Sequence, residues 1–470
     1  MECRTEHDYL GAVKVPKNAY WGAQTQRAYD NFPISRIRPI QEYTNAIVLI
    51  KKAAAEANSK IGLLDKKIAG AIIKASDEIL AGKLSNQFIV DIYQAGEGTS
   101  NNMNVNEVIA NRAIELLGGK KGDYSIVHPN DHVNMGQSSN DVIPSAIKIA
   151  ALMMAPKLLK SLSLLSKELS SKAKKYDSVI KSGRTHMMDA APIRLGQEFG
   201  AWADLVSESM GRIKSAANGL LELNLGATAV GTGVNADPRY VVESVSALRS
   251  YTGLRLRRAK DLPEVTESPS DLMALSSALR IFAADMTKIS NDVRLMNSGP
   301  ITGLAEIILP AVQPGSSIMP GKVNPSVAEM MNMVCFRVIG DDETITLATQ
   351  AGQFELNVME PLIAYCLLHD IEILTNAVDV FTRAAVKGMK VNSSRIEDLA
   401  MKSPGMALLL NPYIGYEKAA MLEEKAVAEK RTIKDVAGES GLLDKKTLSK
   451  IFNPYSLTTP KKLGKRKKRA

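Results

Sequence analysis

The chain has 470 residues, 45% of them hydrophobic but only 5% aromatic, a balance that allows a large core and suits packed helices better than an all-β sandwich. Its three cysteines, Cys3, Cys335 and Cys366, include no CxxC pair, which argues against a disulfide framework or a thiolate zinc site and fits a reducing compartment. The net charge of +9 is poor support for nucleic-acid binding: seven positive charges fall in the last ten residues, KKLGKRKKRA, leaving +2 on the other 460.

In chain order, the N-terminus MECRTEHDYLGAVKVPKNAY lacks the apolar stretch of a signal peptide. No apolar run reads as long enough to span a membrane, so the expectation is a soluble cytoplasmic protein. Residues 1–140 alternate short helical segments with loops and read as an N-terminal helical domain. Within it, NNMNVNEVIANRAIELLGG predicts a helix with Val105, Val108, Ile109, Ala113, Ile114 and Leu117 on its apolar positions, stopping at Gly118-Gly119. Residues 141–392 carry five long apolar-striped segments, beginning near Pro144, Leu195, Asp271, Pro325 and Leu356. Their faces are too extensive for one chain to cover, which predicts a mainly α bundle that completes itself by oligomerising. Residues 393–460 are shorter, highly charged segments and read as a small C-terminal helical domain; residues 461–470 are expected to be a disordered basic tail.

One stretch stands apart. GSSIMPGKVNP, Gly315 to Pro325, is polar and rich in helix breakers, yet it precedes the apolar EMMNMVCFRVIG. Asn324 reads as an N-cap and Pro325 as the first residue of a buried helix ending at Gly340. The loop is no nucleotide phosphate loop, because five residues separate Gly315 from Gly321 and Val323 follows Lys322. Gly231 and Gly233 in GTGVNAD likewise lack the third glycine of a dinucleotide site. Three more polar islands, GEGTSNNMN, HPNDHVNMGQSSND and SGRTHMMD, each read as lying just before a helix. Together the four predict one anion site. Thr99, Ser138, Ser139, Asn140, Thr185, Ser316, Ser317 and Asn324 offer neutral hydrogen bonds, Lys322 a fixed charge, and His186 a group that titrates near neutrality. His128 and His132 are four apart, but Pro129 and Asn130 argue against a helix there, and no metal site is read in the sequence. Such a set suits a small dianion such as a dicarboxylate, with a loop serine as base if its alkoxide is stabilised.

GSSIMPGKVNP matches the signature loop of the aspartase/fumarase superfamily, and HPNDHVN, GRTH, LGQEF, GATAVGTG and NVMEP resemble that family in its usual order, over about residues 4–458. The resemblance implies a three-domain helical fold and a homotetramer whose central helices form a twenty-helix core. It implies active sites built from three subunits, and an elimination that needs no cofactor and no metal. By position, Ser316 would be the base. Thr99, Ser138, Ser139 and Ser317 would hold the carboxylate beside the carbon that loses its proton, and Thr185, Lys322 and Asn324 the other carboxylate. Asn140 and His186 would lie near the leaving group.

Within the superfamily, GATAVGTG with Leu225-Gly226 before its alanine, together with NVMEP, resembles the branch that releases ammonia from L-aspartate to give fumarate. His186, Ser139 and WGAQTQRA instead resemble the branch that hydrates fumarate to L-malate, which stays as the alternative, beside a catalytically silent structural relative. Glu97 in GEGTS and Met187-Met188 depart from both branches.

Overall fold

The computed structural model of the protein describes residues 2–460; the basic tail, 461–470, lies outside the described residues. An antiparallel hairpin, β1 (Cys3–Asp8) and β2 (Gly11–Pro16), is followed by α1 (Ala23–Asn31), α2 (Gln41–Lys60), α3 (Lys66–Leu80) and α4 (Thr99–Leu116). α3 starts where the sequence supplies a cap, Asp65, which accepts from Lys67 N at 2.8 Å and Ile68 N at 3.1 Å. α1 has no local side-chain cap. Glu107 of α4 takes that role from a distance, accepting from Gly22 N at 2.8 Å and Gln24 N at 2.9 Å. Burial of this carboxylate inside α4 is offset by the free N–H groups it satisfies.

The long segments then appear in order. α5 (Ser139–Lys175) leads to a hairpin, β3 (Ile180–Thr185) and β4 (Met188–Arg194), and to α6 (Leu195–Gly219). After α7 (Pro238–Thr252) and α8 (Leu262–Glu267) come α9 (Ser270–Met296), α10 (Ser326–Gln350) and α11 (Glu360–Phe381). The described residues divide into two units. The first holds the chain up to Lys160, Ser209–Ala284 and Val334–Asn376. The second holds Ser161–Glu208, Asp285–Met333 and the chain from Ala377 onward. Within the second, the helices Ser393–Lys402, Tyr416–Glu429, Ile433–Glu439 and Lys445–Ile451 share a core of Ala400, Leu410, Leu422, Val436 and Ile451, joined by Ile180 of β3.

Four expectations need correction. α10 does not stop at Gly340 but continues for ten residues; that glycine makes neither a turn nor a close approach, so its cost of about 1 kcal/mol in a helix is outweighed by the rest of the helix. Nor is α10 buried all round: Met333 and Phe336 stay 64% and 58% exposed. The island SGRTHMMD is not a lead-in to a helix but the tip of the β3–β4 hairpin, where Thr185 pairs with Met188. Finally, two helical stretches, Ser139–Lys175 and Glu360–Val386, are long and apolar enough to cross a membrane; most of each apolar window is buried inside the protein, as in a core helix.

Candidate active site

In the first unit, four motifs far apart in sequence meet. Glu97 N donates to Val358 O at 2.8 Å, tying GEGTS to NVMEP. The Thr99 and Ser139 hydroxyls are 3.0 Å apart, tying GEGTS to GQSSND. Asn140 Nδ2 donates to Ala229 O at 2.7 Å, and its N–H to Ser138 Oγ at 3.2 Å. The buried Asp141 carboxylate accepts from Ser138 N at 3.0 Å, Gly226 N at 3.0 Å and Thr228 N at 3.1 Å, which locks GQSSND onto GATAVGTG. Thr99, Ser138, Ser139 and Asn140 are thus brought together, with Ser139 and Asn140 in the first turn of α5, where free N–H groups favour an anion.

The electrostatics beneath these hydroxyls are unusual. Glu97 is buried in the left-handed region at φ 66°, receives the Thr99 hydroxyl at 3.3 Å, and leaves its other oxygen without a partner. Burial, with the charge of Glu360 nearby, pushes the Glu97 carboxyl well above the usual carboxylate range, although the Ser139 and Thr99 hydroxyls pull the other way. Lys51 is buried and donates to Asn134 Oδ1 at 2.8 Å and Gln137 Oε1 at 2.9 Å. Desolvation brings its ammonium down to about 7, against the pull of Asp141 and Glu97. Burial raises Asp141 to about 6 despite its three amide donors.

The second unit holds the remaining predicted residues. Loop 315–325 is pinned at its base: Gly315 N donates to Lys322 O at 2.8 Å, and Asn324 Nδ2 donates to Gly315 O at 2.7 Å. A Cβ at position 315 would lie 2.6 Å from Lys322 O, so only glycine allows the clasp. Asn324 is therefore a loop clip and not the helix cap; Pro325 supplies the first helical carbonyl, accepting from Ala328 N and Glu329 N at 2.9 and 3.1 Å. Ser316 Oγ accepts from Ile318 N at 3.2 Å and Met319 N at 3.0 Å. Ser317 and Lys322 are exposed, and the Lys322 ammonium has no carboxylate partner among the described residues. Lys322 and Asn324 border a cavity of about 1120 Å³ that Arg294, Lys390 and Glu329 also line, so that cationic groups outnumber carboxylates around it.

Thr185 and His186 sit exposed at the hairpin tip, where His186 and Met187 form a two-residue turn with φ 55° and 65°. Positive φ at both turn positions is the hairpin geometry that Asn-Gly favours, so His-Met there is held under strain. The hairpin stem resists it: Arg184 Nη2 donates to the fully buried Glu306 at 2.7 Å. Among the described residues, no hydrogen bond or ion pair joins this tip to loop 315–325. His128 and His132, expected outside any helix, flank and occupy a single π-helical turn, Pro129–Val133; His132 Nδ1 accepts from His128 N at 2.9 Å. Sequence reasoning assigned no role to Lys51, Asp141 or Glu360: Lys51 is a lone charge in an apolar stripe, and Asp141 and Glu360 lie in quoted motifs whose local pattern carries no signal of burial.

A family model described as lyase matches residues 11–340, and one described as fumarase C C-terminus matches residues 409–459. The chain is 48% identical over 465 residues to an aspartate ammonia-lyase of a Bacillus species, covering 99% of each. It is 45% identical over 456 residues to a class II fumarate hydratase of Xylella fastidiosa, covering 97% of this chain and 95% of that one. Its fold matches the crystal structure of a fumarate lyase:delta crystallin from Brucella melitensis bound to cobalt, with a TM-score of 0.94 and 42% identity over 98% of this chain and all of that one. It also matches a recombinant class II fumarase from Schistosoma mansoni, with a TM-score of 0.92 and 37% identity over 96% and 98%. This chain belongs to the aspartase/fumarase superfamily of lyases, and it is like the aspartate ammonia-lyases along its whole length.

Proposed function

We propose that the protein is an aspartate ammonia-lyase, eliminating ammonia reversibly from L-aspartate to give fumarate. The observation that carries the reading is the pair of backbone N–H groups aimed at Ser316 Oγ. A serine hydroxyl is a weak base, and its alkoxide needs donors that are already in place; the two amides provide them. Ser316 would take the Cβ proton. The pair of electrons left behind moves into the adjacent carboxylate, forming an enediolate that bears a second negative charge. Its collapse forms the carbon–carbon double bond and expels ammonia from Cα.

Thr99, Ser138, Ser139 and Ser317 would hold the carboxylate where charge develops. Thr185, Lys322 and Asn324 would grip the other, with Asn140 and His186 at the leaving group. In this reading the enzyme is a cytoplasmic homotetramer with a twenty-helix core. Its domains are residues 1–140, 141–392 and 393–460, and three subunits contribute to each site. The exposed apolar residues Met333 and Phe336 on α10, and Ile281 and Leu295 on α9, support such a core. The preference for aspartate over malate rests on the names of the relatives at 48% identity and on the motifs around NVMEP. Fumarate formation, followed by ultraviolet absorbance with L-aspartate and L-malate in parallel, tests it. Turnover of aspartate alone is expected; turnover of malate alone would assign the hydratase reaction instead.

A further inference from the structure

Away from the polar islands, the first unit gathers a second set of ionisable groups where α10 meets α11. Asp341, His369 and Asp370 each offer one ligand atom, and the three atoms lie within 4.8 Å of one another. Asp341 is paired: its Oδ2 accepts from Arg337 Nε at 2.6 Å. Its neighbour Asp342 turns to other groups, accepting from Ser276 Oγ at 2.7 Å and pairing with Arg280 at 2.6 Å. Asp370 has no such relief. It is fully buried, and among the described residues no N–H or hydroxyl donates to either carboxylate oxygen; it lies within hydrogen-bond reach of the Asp341 carboxyl. Nδ1 of His369 is buried and unpartnered as well, with its ring stacked on Tyr365 at 5.4 Å.

Two carboxylates against one guanidinium leave a buried negative charge that is costly unless a proton or a cation neutralises it. A proton between Asp341 and Asp370 would relieve the charge, but it would leave the His369 nitrogen idle. A divalent cation uses all three groups. One imidazole nitrogen with two carboxylate oxygens suits first-row transition ions such as Mn²⁺, Co²⁺, Ni²⁺ or Zn²⁺ better than Mg²⁺ or Ca²⁺, which prefer all-oxygen sites. Arg337 on Asp341 and Tyr365 on His369 are the kind of outer contacts that hold metal ligands in position.

We propose that Asp341, His369 and Asp370 form a divalent transition-metal site that staples α10 to α11 and uses none of the candidate active-site residues. The test is a Co²⁺ titration of the full-length protein after exhaustive dialysis against chelator, read by visible d–d absorption and by the shift in thermal midpoint. The expected result is saturation at one equivalent per chain with an upward shift. Asp370→Asn and His369→Gln should each weaken Co²⁺ binding by more than about tenfold. His369 is only partly buried, so its variant keeps the test decisive even if Asp370→Asn fails to fold. No stoichiometric uptake, or equal uptake in wild type and His369→Gln, would overturn the proposal and leave a proton-bridged Asp341–Asp370 pair.

Discussion

Ser316 and Glu97 carry opposite demands on a hydrogen-bonded oxygen. Ser316 Oγ sits where two amides favour its ionised form. Ser316→Ala should lower kcat by roughly a thousandfold with little change in KM or in circular dichroism. Lys322→Met should both raise KM and lower kcat, since it removes a fixed charge that no carboxylate neutralises. His186→Gln should be the mildest of the three, as His186 is exposed and unpaired among the described residues. Burial and the charge of Glu360 favour the neutral form of Glu97. In that form it can lie beside Thr99 and Ser139 while they hold a substrate carboxylate. Because its folded-state value is raised, it ionises only as pH climbs above the ordinary carboxylate range, and the new charge then opposes a dianion. KM for L-aspartate should therefore rise towards alkaline pH, and Glu97→Gln should flatten that rise; an unchanged profile in the variant would remove Glu97 from the site.

At the scale of elements, the hairpin β3–β4 depends on close backbone approaches. A Cβ on Gly405 would lie 2.1 Å from Ala190 O, and one on Gly183 would lie 2.4 Å from Ala191 O. Gly405→Ala should thus cost about 2 kcal/mol in urea denaturation and lower kcat by displacing the strained His186–Met187 turn. Gly70, exposed in the middle of α3 with nothing near its missing Cβ, is the control: Gly70→Ala should stabilise by about 1 kcal/mol. The element boundaries were legible where chemistry is local, as at Asp65 before α3. They were misread at Gly340, because a glycine ends a helix only where the chain then turns. They were misread again at Asn324, whose side chain found a partner nine residues back and not on the helix it precedes.

At the scale of the whole molecule, the long helices leave Met153 and Leu164 on α5, and Met333, Phe336 and Leu347 on α10, open to solvent in the single chain. If the chain assembles through these faces as proposed, a charge placed there should prevent assembly: Phe336→Glu should shift the mass measured by light scattering from the proposed tetramer to smaller species and abolish turnover. If active sites draw on several subunits, co-expressing Ser316→Ala with Thr99→Ala should restore part of the activity that each lacks alone. Absence of complementation would argue for sites built within one chain.

The sequence by itself determined the helical class, the five long apolar segments and the superfamily. Each is written in local order, as a 3.6-residue period or as an uninterrupted motif such as GSSIMPGKVNP. It also raised the expectation, carried into the proposed function, that the hydroxyl- and amide-rich islands bind an anion. Only the tertiary structure decided which islands touch. Thr99 meets Ser139, Glu97 meets Val358, and Asp141 meets Gly226 across separations of 40 to more than 200 residues, and nothing in the local pattern encodes such pairings. The tertiary structure alone also shifts the titration of Glu97, Asp141 and Lys51, because the cost of a charge depends on the water that packing removes and on the neighbours that packing supplies.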